Sequence, residues 1–165
     1  MKSVQPIPSR ILSLPELEKE LRRWRLKNNK IVFTNGVFDI LHEGHIASLS
    51  QAAGHGNILI VGLNSDASVK RLKGPSRPVN NENARALLLA SLVMVDAVVI
   101  FEEDTPLELI KTIMPDVLVK GGDYTVDQIA GAKEVIANGG EVILADMVDG
   151  ISTTAIIEKM KNTPA

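Results

Sequence analysis

The sequence predicts an α/β fold, a single doubly wound parallel sheet of about five strands with helices on both faces. Three observations carry that expectation. Five short runs are apolar without alternation, the pattern of strands covered on both faces. Segments with helical spacing and helix-start signals separate those runs, the alternation that builds parallel strands through crossovers. The 165 residues, 45% hydrophobic and 23% charged, suffice for one proper core and leave little for a second domain.

Ahead of the first strand, Ser13 and Glu16 have the spacing of a capping box, and Leu14, Leu17, Leu21 and Trp24 fall on one helical face. Residues 1–29 thus read as a helical extension that packs on a domain spanning 30–165. The first strand is KIVFT, Lys30 to Thr34, and a helix is expected from near Gly44. The second is NILIVGL, Asn57 to Leu63. In the following SVKRLKGPSRPVNNENAR, the cations Lys70, Arg71, Lys73, Arg77 and Arg85 are interrupted by Gly74, Pro75 and Pro78. This is loop chemistry, with a helix beginning only near Asn81. AVVIF, Ala97 to Phe101, is the third strand; Thr105 then stands at an N-cap, Pro106 at the first helical position and Glu108 where a capping box needs an acid. VLVK, Val117 to Lys120, and EVILA, Glu141 to Ala145, complete the sheet. Ser152, Thr153 and Thr154 mark the start of a last helix.

Bulk properties exclude several classes. A net charge of −2 offers no basic field for nucleic acid, and no apolar run approaches the roughly 20 residues that span a bilayer. The absence of cysteine removes disulfides and thiolate metal sites, and the N-terminus lacks the order of a signal peptide, so the cytoplasm is the default compartment.

The decisive stretch is FTNGVFDILHEGH, Phe33 to His45. Ligands of open α/β sheets bind beyond the carboxyl ends of the strands, which is where Thr34, Asn35 and Gly36 stand. Gly36 lets backbone approach a ligand, and a helix starting near Gly44 aims free N–H groups and its positive dipole end at the same spot, which suits an anion. His42 and His45, three apart, project to one side of a helix or turn. Two donors at an anion site point to phosphate chemistry; the plain alternative is a pair that satisfies backbone groups. Zinc is disfavoured, because His-Glu-Gly-His is one residue short of His-Glu-x-x-His and no spacing supplies a third ligand. Neither Gly-x-Gly-x-x-Gly nor a P-loop lysine motif occurs here.

TNGVFDILHEGH resembles the first signature of the cytidylyltransferase-like nucleotidyltransferases, whose His-x-Gly-His motif falls on His42, Glu43, Gly44 and His45; GISTTAII, Gly150 to Ile157, resembles the second. Within that family, NSDASVKRLKGPSRPVN, PDVLVKGGDY and IAGAKEV are similar to the branch that adenylylates D-glycero-β-D-manno-heptose 1-phosphate. The resemblance implies the Rossmann-like fold of that family and a reaction in which a sugar 1-phosphate attacks the α-phosphorus of ATP, with Mg2+ entering with the nucleotide. It implies His42, His45 and Lys73 as catalytic residues. It places the nucleotide against Thr34, Asn35, Gly36, Phe38, Arg85, Gly121, Asp123, Tyr124, Ser152, Thr153 and Thr154. Asp39, Asp66 and, more weakly, Lys70 fall where similar proteins bind the acceptor, although Asp39 would serve equally as a turn cap. Gly121 and Gly122 would let a base lie against backbone, while Glu43 beside a triphosphate is unfavourable unless it points away or approaches the metal. A homo-oligomer, a dimer, and a separate heptose kinase are further implications.

The incoming phosphate is already an anion, so the chemistry asks only for alignment and charge stabilisation. Two rivals stay open: a relative using CTP and a polyol phosphate such as glycerol 3-phosphate, and a nucleotide-binding module without turnover.

Overall fold

All five apolar runs form strands: β1 (Ile31–Gly36), β2 (Ile58–Asn64), β3 (Ala97–Phe101), β4 (Val117–Gly121) and β5 (Glu141–Ala145). The computed structural model describes residues 6–122, 124–146 and 151–162. The strands make one parallel sheet in the order β3-β2-β1-β4-β5, with Ile31 beside Ile58 and Val32 beside Val117. From β1 the chain first builds outward through β2 and β3, then crosses to β4 and β5 on the other side. A crevice therefore opens between the carboxyl ends of β1 and β4.

Seven α-helices lie among the described residues: α1 (Leu14–Leu26), α2 (Glu43–Ala53), α3 (Asp66–Lys73), α4 (Glu82–Ala90), α5 (Leu107–Ile113), α6 (Ala132–Ala137) and α7 (Thr153–Asn162). Alternate residues of β1 feed opposite layers, as the two-residue period of a strand requires. Ile31 and Phe33 pack with Leu17 and Leu21 of α1, Ile110 of α5 and Val135 of α6. Val32 packs with Leu49 and Ala52 of α2 and with Ala86 and Leu89 of α4. This is the doubly wound, Rossmann-like arrangement that the uninterrupted apolar runs predicted. Leu17 and Leu21 share a core cluster with the sheet, so the leading helix belongs to the same packed unit. A parallel bridge from Ile11 to Val98, with the Leu12 amide donating to the Val98 carbonyl at 2.9 Å, lays the preceding residues along the outer edge of β3.

The structure departs from expectation at four places. Leu14 is 45% exposed, because only Leu17 and Leu21 of the predicted face turn fully inward. β5 is an edge strand with Glu141 and Leu144 exposed, so its apolar run is covered less completely than the others. Thr105 is not a cap: α5 begins at Leu107 after Pro106, and the Glu108 carboxylate accepts from Lys111 Nζ at 2.9 Å instead of closing a capping box. The largest difference is α3, which occupies residues read as loop. Ser65 caps it by accepting from the Ser68 amide at 3.1 Å, Asp66 opens it, and Lys70, Arg71 and Lys73 lie in its last turn, complementing the helix dipole at each end. Gly74, at φ 96°, terminates it. Asn81 does cap α4 as expected, accepting from the Ala84 amide at 2.9 Å.

Candidate active site

A cavity of about 630 Å3 lies across the carboxyl ends of the strands, from Asp104 beyond β3 to Asp146 beyond β5. Its size and place are those of a small-molecule site. At its centre the chain leaves β1 and enters α2. His42 is the N-cap of α2, and its carbonyl accepts from the amides of His45 at 2.9 Å and Ile46 at 3.2 Å. The spacing of three then brings the two rings together, stacked at 3.8 Å between centroids with 20° between planes. Phe38 meets His45 edge-on at 5.1 Å. Phe38 itself has φ 46°, and a Cβ on Gly36 would lie 2.9 Å from its ring. Gly36 lines the cavity, and the space its missing side chain leaves is filled by this ring.

The imidazoles are shaped as neutral donors. Burial holds His45 down to about 4, helped by the neighbouring His42; burial also lowers His42, against the opposing pull of Glu43. Nδ1 of each ring is buried without a protein partner. Such an arrangement resists protonation and offers hydrogen bonds rather than charge. Glu43 is exposed and absent from the cavity wall, which resolves its electrostatic conflict: it points away.

At the far side α7 brings its first turn to the cavity, with Ser152 accepting from the Ala155 amide at 3.1 Å and Thr153 donating to the Ile40 carbonyl at 3.4 Å. Free amides and hydroxyls at a helix start are groups that can bind phosphate. The sheet architecture, the stacked pair at one helix start and a second helix start facing it across the cavity can be compared with known proteins. The cytidylyltransferase-like family model matches residues 33–159. The chain belongs to the cytidylyltransferase-like family.

Curated relatives agree. The chain is 56% identical over 152 residues to the "Bifunctional protein HldE" of Paramagnetospirillum magneticum, covering 92% of this chain and 31% of that one. It is 59% identical over 146 residues to the protein of the same name in Rhodopseudomonas palustris strain BisB5, covering 88% and 30%. The chain thus spans about a third of the length of these relatives. Among solved structures, a lipopolysaccharide core biosynthesis protein from Thermoplasma volcanium matches with TM-score 0.61 and 28% identity, covering 73% of this chain and 99% of that one. Pantoate-beta-alanine ligase from Francisella tularensis, at TM-score 0.60 and 16% identity over 94% of this chain and 73% of its own, shares the fold. Family membership makes the chain a nucleotidyltransferase.

Within this cytidylyltransferase-like site, the cavity wall gathers Thr34, Asn35, Gly36, Phe38, Asp39, His42, His45, Lys73, Gly121, Tyr124, Ser152, Thr153 and Thr154. Asp123 and Gly150 lie outside the described residues. Three expected residues are absent from the wall. Arg85 is fully buried and spends its guanidinium on the protein, donating to the carbonyls of Val37 at 2.7 Å, Asn64 at 2.8 Å and Asn80 at 2.9 Å, and to the Asp66 carboxylate at 2.7 Å. That pairing also claims Asp66, and Lys70 is an exposed side chain of α3 away from the wall. Asp39 reaches the wall but works as a turn cap. Its buried carboxylate accepts from Arg77 at 2.7 Å and from the amides of Val79 at 2.8 Å and Asn80 at 3.0 Å. Burial raises its pKa, yet the two amides and Arg77 outweigh that and leave it lowered. Of the two readings, the turn-cap one is visible here as a buckle that fastens residues 77–80.

Lys73 lines the cavity, but from the last turn of a helix rather than from the expected loop. The cavity also contains residues that sequence reading passed over, among them Ser48, Lys120 and Gln128. Lys120 had a visible signal: it ends an otherwise apolar strand, where a charge survives only by reaching water or a ligand. Gly121 would bring a Cβ to 3.3 Å from Ser48 Oγ, and Gly122 has φ 116°, so a close approach of α2 and a backbone requirement explain these two glycines.

Proposed function

We propose that this nucleotidyltransferase moves the adenylyl group of ATP onto D-glycero-β-D-manno-heptose 1-phosphate, as a step in lipopolysaccharide precursor synthesis. The observation that carries the reading is the neutral, stacked His42–His45 pair at the head of α2, in a chain 54–59% identical to proteins named HldE. A phosphate oxygen of the sugar 1-phosphate attacks the α-phosphorus, the bond between that phosphorus and the α,β-bridging oxygen breaks, and pyrophosphate leaves with that bond's electrons. The histidines donate hydrogen bonds to the α-phosphoryl and bridge oxygens, where charge grows in the transition state. Ser152 to Thr154 hold the distal phosphates, Lys73 adds charge from α3, and the base and ribose rest against Gly121 and Tyr124.

Magnesium entering with ATP would supply neutralisation of phosphate charge. Asp146 fits it: the residue lines the cavity, is exposed and makes no ion pair among the described residues, and a phosphate-bound magnesium needs only one or two carboxylates. The kinase step that makes the sugar 1-phosphate belongs to sequence other than these 165 residues. Because the family is named for cytidylyl transfer, CTP with a polyol phosphate is the second reading. Pyrophosphate release measured with ATP and CTP over a panel of sugar and polyol phosphates tests both. ATP with the heptose 1-phosphate should give the highest kcat/KM, and preference for CTP with glycerol 3-phosphate would reverse the order.

A further inference from the structure

The cavity has five cationic side chains on or near it, and most are neutralised by the protein. Arg77 is held by Asp39 at 2.7 Å, Arg71 by Asp104 at 2.8 Å, and Arg85 by Asp66 and three carbonyls. The histidine pair is neutral. Of the cations that line the wall, Lys73 and Lys120 alone have no carboxylate partner among the described residues. Lys73 sits exposed on the rim, whereas Lys120 is half-buried at the carboxyl end of β4.

Its position is specific. β4 borders the crevice where the strand order reverses, and Lys120 Nζ reaches across it to within 3.5 Å of Asn35 Oδ1 on β1. On the other side the ammonium lies 5.7 Å from the Tyr124 ring centroid. An amide oxygen at the limit of hydrogen bonding and a ring near the outer limit of cation–π range compensate only part of a charge withdrawn from water. Burial accordingly pushes its pKa below the ordinary lysine value. A ligand anion would supply the missing partner.

The nucleotidyl-transfer reading, on which this inference rests, says which anion. If ribose lies against Gly121 and Tyr124 and the distal phosphates lie at the start of α7, the phosphate next to the ribose falls between them, beside the histidines and within the span that Lys120 covers. We propose that Lys120 is a further substrate-binding and catalytic residue, whose ammonium holds the α-phosphate of the nucleotide on the face opposite Lys73.

Titration calorimetry on the full chain with AMP, adenosine and inorganic pyrophosphate separates this role from a structural one, because only AMP carries the α-phosphate without the others. Lys120→Met should weaken AMP about tenfold and lower kcat/KM for adenylyl transfer by about a hundredfold, as loss of a charge-assisted bond at the reacting group does. Adenosine and pyrophosphate should bind as before, and Lys120→Arg, which keeps the charge, should recover most AMP affinity. Unchanged AMP binding in Lys120→Met, or equal losses for AMP and adenosine, would overturn the assignment. A wild-type chain that binds AMP through Lys120 yet transfers nothing to any sugar phosphate would sustain the assignment and overturn the proposed reaction instead.

Discussion

The turn from Phe33 to His45 and the segment from Asp66 to Arg85 both border the cavity, and they use polar residues in opposite ways. The turn presents two histidines whose Nδ1 atoms have no protein partner. The charged segment turns inward: Arg85 joins Val37, Asn64, Asn80 and Asp66, while Arg77 joins Asp39. In the proposed reaction the turn carries the chemistry, and the more highly charged segment mainly holds the turn in place. Unsatisfied capacity, not formal charge, distinguishes a group reserved for a ligand from one committed to the fold.

Arg85→Ala should have the largest effect, about 3–5 kcal/mol of lost stability, since it leaves Asp66 and three carbonyls without their partner. Urea denaturation measures it; a loss below about 1 kcal/mol would make Arg85 a ligand contact after all and break the contrast between the regions. His45→Ala should do the reverse, lowering kcat about a hundredfold or more in single-turnover kinetics while the unfolding midpoint changes little. Near-normal chemistry in a folded variant would remove the pair from the mechanism. Lys73→Ala should lower kcat/KM by a smaller factor, corresponding to about 2 kcal/mol, because its ammonium acts from the rim of the cavity. An effect larger than that of His45→Ala would shift the centre of the chemistry into the charged segment.

The remaining effect, and the one that sharpens the comparison most, is pH-dependent and absent at neutral pH. His45 has its pKa depressed from 6.5 to about 4, so between these values the unfolded chain binds a proton that the folded chain refuses. Stability should fall as pH drops through that window, and His45→Gln should flatten the slope. Asp39 has its pKa lowered from 3.8, so its contribution is present above that value and disappears only in stronger acid. Denaturation midpoints from pH 7 to pH 3 should show the histidine slope first; a slope unaffected by His45→Gln would place the titration elsewhere.

Much of this was legible before the structure. Strands covered on both faces write themselves as apolar runs, and β1 to β4 match them within a residue or two at each end. His42 and His45 were legible because three-residue spacing at a helix start has a fixed geometric result. α3 was not: it is short, buries only Ser68 and Val69, and carries cations beside Gly74 and two prolines, so its composition imitates a loop. The destinations of Arg85 and Asp66 were hidden for another reason. Sequence shows that a guanidinium is present, but long-range packing decides whether carbonyls or a ligand receive it.

The bridge from Ile11 to Val98 has a consequence for behaviour in concentrated solution. An outermost strand displays a row of amides and carbonyls that invites pairing with another molecule. Along β3 that row meets residues 11 and 12 of the same chain, while Arg10 ties the approach down by donating to the Val95 carbonyl at 3.0 Å. The opening residues thus act as a selvage, finishing one side of the sheet and protecting it from lateral aggregation.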